Sequence, residues 1–266
     1  MSVHSVASER ISMSQSIRRT VADFLAAVQF LTRIPLPALQ YEADALSRAV
    51  KFFPVVGLAV GASAALLDVL LMPHLPRVVT AILIVAFLVA ITGCLHEDGL
   101  ADVADAFGSG WSREQILTIL KDSRIGSYGG AALTLSLLAR VALLGTMPAG
   151  QISRYLIAAH VLSRWTTLPL SYFLAPARSV QDGGQGARIA RLTTRTTLIA
   201  GSMFTLVVCI FGLREGAAVT IAGAALIVLG SGLYYRRKIG GVTGDCFGAT
   251  NQVTEIFVYL AAVWTL

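Results

Sequence analysis

Apolar residues run in long blocks along this chain, at about 52–72, 77–95, 126–148, 151–174, 197–212, 216–235 and 252–266, with short polar stretches between them. Each block approaches the about 20 residues that a helix needs to cross a ~30 Å hydrocarbon core. The pattern predicts an all-α fold, a polytopic integral membrane helical bundle with about seven transmembrane helices. The fifth block is short at its start and the last reaches the chain end, so six or eight spans stay open. An earlier stretch, 21–34 (VADFLAAVQFLTRI), is apolar but shorter, carries Asp23 and Arg33, and leads into the two prolines of "IPLP". It predicts a helix lying at the interface or packed on the bundle. Residues 1–20 are rich in Ser and Arg and lack the apolar core of a signal peptide. They predict a disordered cytoplasmic tail, leaving 21–266 as one membrane-embedded catalytic domain.

Composition agrees: 55% of the 266 residues are hydrophobic and 14% charged, against roughly 25% charged in a soluble domain. Cys94, Cys209 and Cys246 make no CxxC pair and no metal-ligand spacing, which argues against a disulfide framework or zinc site. The formal net charge is +6, and its placement tells more than its size. With seven spans, sixteen Lys and Arg fall on the side of the N-terminal tail, and only Arg77 and Arg214 on the other. Arg140, Arg154 and Arg164 lie within spans. That asymmetry puts the N-terminus in the cytoplasm. The basic excess also suits anionic lipid head groups of the bilayer, and no nucleic acid is needed to explain it. The same topology brings 96–125 and 236–251, the non-apolar segments richest in acids and glycines, to the cytoplasmic side together.

The first of these begins "HEDGLADVADA", with Glu97, Asp98, Asp102 and Asp105 close together after a long apolar run. On a helix Asp98, Asp102 and Asp105 project from one face within about 60°, and Glu97 points roughly 100° away. Like charges at that spacing repel. A hard divalent cation offsets them best, because Mg²⁺ takes carboxylate oxygens and completes its shell with phosphates and water. The bland alternative is a solvated acidic first turn favoured by the helix dipole. Next comes "KDSRIGSYGG" (121–130), with Lys121, Asp122 and Arg124 beside Gly126, Gly129 and Gly130. Glycines let a backbone approach a phosphate and Arg offers a planar fork to its oxygens; a basic membrane rim followed by small packing residues is the alternative.

The second segment, "GGVTGDCFGATNQVTE" (240–255), carries Asp245 in a glycine-rich turn, with Asn251 and Glu255 at i, i+4 where the last span starts. Ionisable residues inside a span are costly and mark a pathway, a site or a partner. Glu255 and Arg164 therefore stand out, whereas His160 reads as an interior histidine, Arg154 as a snorkelling end, and Arg140 either way.

These pieces, with "FLTRIPLP" (30–37) and "RAVKFFPVVGL" (48–58), resemble the cobalamin synthase family, the adenosylcobinamide-GDP ribazoletransferases. The matching pieces cover about a quarter of the chain in the family's order. The resemblance implies a bacterial inner-membrane enzyme with a cytoplasmic active site that performs the last joining step of the cobalamin nucleotide loop. In that reaction the phosphocobinamide part of adenosylcobinamide-GDP passes to α-ribazole or α-ribazole 5′-phosphate, GMP leaves, and Mg²⁺ is required. Carried over residue by residue, the family's acids fall on Asp98, Asp102, Asp105, Asp122 and Asp245, with Arg124 beside Asp122 and Arg164 on a basic position. Two departures are Glu97, where many relatives have Leu, and Gln252, where some carry an acid, which shifts weight to Glu255.

On this reading Asp98, Asp102 and Asp105 hold one or two Mg²⁺, and Lys121, Arg124, Gly126, Arg164 and Asn251 contact substrate. Asp122, Asp245 and Glu255 are the candidates for the base, provided that burial raises the carboxyl pKa or the metal assists the alcohol. The runner-up is a lipid head-group transferase like the CDP-alcohol phosphotransferases, whose arginine after the first D-G is missing here. A small cation-coupled transporter, third, predicts acids in mid-span rather than at the boundary. Small-residue faces suit a homodimer, and a soluble corrinoid at a membrane suggests association with other nucleotide-loop assembly enzymes.

Overall fold

The computed structural model describes residues 3–36, 45–178 and 184–264. Among them the fold is all-α, and the one β-bridge, Pro176 with Val242, belongs to no strand. The helices in chain order are α1 (Val3–Leu31), α2 (Ala45–Ala49), α3 (Phe53–Leu71), α4 (Arg77–Thr92), α5 (Leu95–Ser109), α6 (Arg113–Ile119) and α7 (Ser127–Thr146). After them come α8 (Ala149–Trp165), α9 (Thr167–Phe173), α10 (Gly184–Leu192), α11 (Arg195–Leu213), α12 (Ala217–Ile239) and α13 (Gly244–Trp264). The short helix expected over 21–34 is the C-terminal part of α1, and residues 3–20, expected as a tail, form its beginning.

Among the described residues three stretches are long and apolar enough to cross a membrane: Ala45–Leu71, Ser127–Thr146 and Arg195–Ile239. The pair α4 and α5 adds a fourth if counted as one span, although the two are bent by 89°. This differs from the expected seven, and burial explains part of the difference. α8 and α13 occupy the interior and carry buried polar side chains, among them His160, Arg164, Asn251, Gln252 and Glu255. An interior helix need not be apolar all round, because its neighbours rather than lipid meet its polar groups. α11 and α12 instead expose Met203, Phe211, Leu226, Leu229 and Leu233, a face suited to hydrocarbon.

Two local devices set the geometry near the acids. α4 ends in a Schellman turn, with the Cys94 amide donating to the Val89 carbonyl at 3.1 Å and that of Gly93 to Ala90 at 3.2 Å. Gly93 and Cys94 are both left-handed, with φ 64° and 61°, which turns the chain sharply into α5. A Cβ on Gly93 would strike the Arg33 side chain, and the Arg33 amide donates to the Ile91 carbonyl at 2.7 Å, pinning the end of α1 there. Elsewhere Gly57 and Gly61 let α3 lie against α8: a Cβ at Gly57 would run into the His160 carbonyl and one at Gly61 into Ile157. This glycine pair at spacing four is therefore used inside the chain.

Candidate active site

α5 and α13 cross at Gly99 and Gly248, where a Cβ on Gly99 would come within 2.8 Å of the Asp245 carbonyl oxygen and 3.1 Å of the Gly248 Cα. Because the backbones touch, Asp98 and Asp102 of α5 lie beside Asp245 in the first turn of α13. The two segments that sequence reading assigned to one side of the membrane thus share one site. Asp98 is exposed, and Asp102 and Asp245 are half-buried. Burial, then the charges of Asp98, Asp245 and Asp105, push the Asp102 carboxyl up to about 7. Burial also raises Asp245, opposed by the Thr243 hydroxyl, which donates to its Oδ2 at 3.2 Å.

Asp105 is placed differently from the expectation. Its Oδ2 accepts the Gly126 amide hydrogen at 2.7 Å and its Oδ1 that of Gly129 at 2.8 Å. It caps the N-terminus of α7, where free amides and the helix dipole favour an anion. A Cβ on either glycine would collide with this carboxylate. The glycines of "IGSYGG" therefore face an aspartate of the chain itself, and the Gly126 amide expected to approach phosphate is engaged.

Asp122 and Arg124 form a pair: Arg124 Nε donates to Asp122 Oδ1 at 3.0 Å and Nη2 to Oδ2 at 2.6 Å. Those hydrogen bonds hold the Asp122 carboxyl down at about 2. The Arg124 side chain is 87% exposed, so its fork is closed on Asp122 at the surface and not in the α5–α13 crossing. Lys121 is exposed as well.

Glu255 and Arg164 belong to a second, buried layer. Arg140 Nη1 of α7 donates to Glu97 Oε1 of α5 at 2.9 Å and to Glu255 Oε1 of α13 at 3.5 Å. Gln252 Nε2 also reaches Glu97 Oε1, at 3.4 Å, and Ser136 donates to Gln252 Oε1 at 3.2 Å. Arg164 Nη1 lies 2.5 Å from His160 Nδ1, and His160 Nε2 lies 3.3 Å from the Tyr259 hydroxyl. Two arginines and two glutamates offset one another here, as buried charges must. Asn251 is buried beside Gln252 in α13, and its Oδ1 has no hydrogen-bond partner among the described residues. Sequence reading set Glu97 aside and left Arg140 undecided. The available signal was the roughly 100° between Glu97 and Asp98 on one helix, which sends Glu97 inward while Asp98 faces out.

A cavity of about 200 Å³ opens at the crossing, with Asp98, Asp245 and His96 on its wall among Phe30, Phe53 and Phe247. Among the described residues no three His, Cys, Asp or Glu side chains form a ready-made cation cage. The donor chemistry nevertheless suits a hard ion: the acids offer oxygen only, and a dication offsets the mutual repulsion that, after burial, raises Asp102. Asp98, Asp102 and Asp245 fit that description better than Asp105, whose oxygens already serve α7.

The chain resembles known proteins along most of its length. The sequence profile described as Cobalamin-5-phosphate synthase (CobS) matches residues 23–263. Similar curated proteins named adenosylcobinamide-GDP ribazoletransferase include one from Azorhizobium caulinodans, 44% identical over 90% of this chain and 94% of its own. One from Sinorhizobium medicae is 41% identical over 91% and 96%, and one from a Polaromonas species 34% identical over 94% and 99%. No solved structure matches. With the profile spanning nearly the whole chain and relatives matched along almost all of their length, the chain belongs to the Cobalamin-5-phosphate synthase family.

Proposed function

We propose that this membrane enzyme is an adenosylcobinamide-GDP ribazoletransferase, the activity its relatives' names state. A ribose hydroxyl of α-ribazole, or of its 5′-phosphate, attacks the phosphorus attached to cobinamide. The bond to the GMP oxygen breaks, GMP leaves, and the hydroxyl proton passes to a base. The observation that carries the assignment of the site is the crossing at Gly99 and Gly248, which sets Asp98 and Asp102 beside Asp245, with Asp98 and Asp245 on the cavity wall.

Asp98, Asp102 and Asp245 would hold Mg²⁺, which when bound supplies positive charge against the pyrophosphate and the departing GMP. Asp105 acts at one remove, fixing α7 against α5 through the Gly126 and Gly129 amides. The Arg140–Glu97–Glu255 layer beneath keeps α5, α7 and α13 in register. Of the carboxylates expected as the base, Asp122 is tied to Arg124 and Glu255 to Arg140. The strongly basic side of the chain supports an inner-membrane location with this site facing the cytoplasm. A homodimer would use a face other than Gly57 and Gly61, which α8 covers; association with other nucleotide-loop enzymes rests on the soluble nature of the corrinoid.

The test is product formation by detergent-purified protein. Given adenosylcobinamide-GDP and α-ribazole together, it forms GMP and adenosylcobalamin, and neither substrate alone suffices. Well-folded protein that forms neither product, or that acts on CDP-alcohols instead, overturns the reading.

A further inference from the structure

On the outside of the bundle α12 does not close fully against α8 and α9. A groove of about 340 Å³ runs between them, with Trp165, Leu170 and Phe173 on one wall and Val228 and Gly232 on the other. Every side chain that lines it is apolar except Arg236, at one end. The Trp165 indole donates its Nε1 hydrogen to Ser202 Oγ at 2.9 Å, so its polar group is already paired. Gly232 keeps the groove open: a Cβ there meets only the side chains of Leu170 at 3.4 Å and Leu174 at 3.8 Å. Phe173 is exposed at the groove's edge, and Leu229 and Leu233 continue the apolar outer face of α12. At the charged end Arg236 is followed by Arg237 and Lys238, and all three are exposed.

We propose that this groove holds one anionic phospholipid, with an acyl chain between α9 and α12 and the phosphate on Arg236. The dimensions suit that occupant. From Ala225 to Arg236 the α12 wall rises about 16 Å at 1.5 Å per residue, half of the ~30 Å hydrocarbon core and so the depth of one leaflet. A guanidinium offers a lipid phosphate two parallel N–H donors. The positive charge of Arg237 and Lys238 beside it favours a head group with net negative charge over a zwitterionic one. A peptide segment fits less well, because its backbone N–H and C=O groups would go unpaired against walls that carry no polar partner. The lipid would also brace the seam between α9 and α12. Both helices lead from this seam towards the active site: α9 runs on to Pro176, which bridges to Val242 in the turn between α12 and Asp245.

The experiment is native mass spectrometry of the detergent-purified full chain, titrated with phosphatidylglycerol or with phosphatidylcholine. The wild type should retain one phosphatidylglycerol at concentrations where phosphatidylcholine is not retained, and that lipid should raise its melting temperature. Arg236→Gln, a change at an exposed position, should weaken phosphatidylglycerol binding about tenfold, the scale of one lost charge-assisted hydrogen bond. Gly232→Leu fills the groove against side chains alone and should abolish the retained lipid while its melting temperature without lipid stays that of the wild type. Equal retention of the two lipids by the wild type, or unchanged phosphatidylglycerol binding in both variants, overturns the proposal. A wild-type dimer that Gly232→Leu converts to monomer overturns it as well, because the groove is then covered by a second copy of the chain.

Discussion

The Asp105 carboxylate holds the backbone amide of Gly129 at 2.8 Å, across the gap between α5 and the first turn of α7. With the Gly126 amide at 2.7 Å on its other oxygen, Asp105 is a helix cap supplied by a different helix. Asp105→Asn removes the charge and one acceptor, and a lost cap costs about 1–2 kcal/mol. Thermal unfolding in detergent should register that loss, while the Mg²⁺ concentration giving half-maximal GMP release stays that of the wild type. A shifted Mg²⁺ dependence with unchanged stability would return Asp105 to the metal ligands.

Arg140 serves two acids and Glu97 only one arginine, so the two substitutions differ in cost. Arg140→Met strands Glu97 and Glu255 in the interior, where removing one partner of a buried pair costs about 3–5 kcal/mol. Glu97→Gln leaves Arg140 with Glu255 at 3.5 Å and costs less. A double-mutant cycle measured by unfolding should show strong coupling between positions 97 and 140.

Gly57 has no room for a methyl group, because its Cβ would meet the His160 carbonyl oxygen, part of the α8 backbone. Gly57→Ala should destabilise by about 1–3 kcal/mol, as overpacking does. Gly130 has nothing within 4 Å of a built Cβ, and Gly130→Ala should be neutral or stabilising by up to about 1 kcal/mol on helix propensity. Paired melting curves check both.

Asp102 links stability to pH in the cation-free protein. Its folded pKa, about 7, lies above the ordinary 3.8, so the folded state binds the proton more tightly than the unfolded state. The stability this contributes is complete below 3.8 and is lost as pH rises to about 7. Asp102→Asn should flatten that part of the stability–pH curve, and Mg²⁺ should restore stability to the wild type above pH 7.

Much of this arrangement is written in local pattern. Apolar blocks and the prolines and glycines between them mark the helices, and the i, i+4, i+7 spacing puts Asp98, Asp102 and Asp105 on one face of α5. Their partners are another matter. Asp105 meets amides 21 and 24 residues downstream, and Glu97 finds Arg140 43 residues away. Spacing within one helix carries no information about which neighbour each acid will face. Arg124 shows the reverse case: a residue suited to phosphate by type satisfies itself on Asp122, two positions back. The described residues hold three or four stretches that pass as apolar spans against seven apolar blocks, since helices that lie inside a bundle need not look like helices that face lipid.

Asp98 and Asp245, brought together from distant parts of the chain, are proposed to form the cation-dependent centre for pyrophosphate chemistry. The most direct measurement is GMP release from adenosylcobinamide-GDP and α-ribazole as Mg²⁺ is titrated, for the wild type, Asp98→Asn and Asp245→Asn. The account predicts release that needs the cation in the wild type and is lost in both variants although each remains folded. Release without any divalent cation, or undiminished release from either variant, would contradict it.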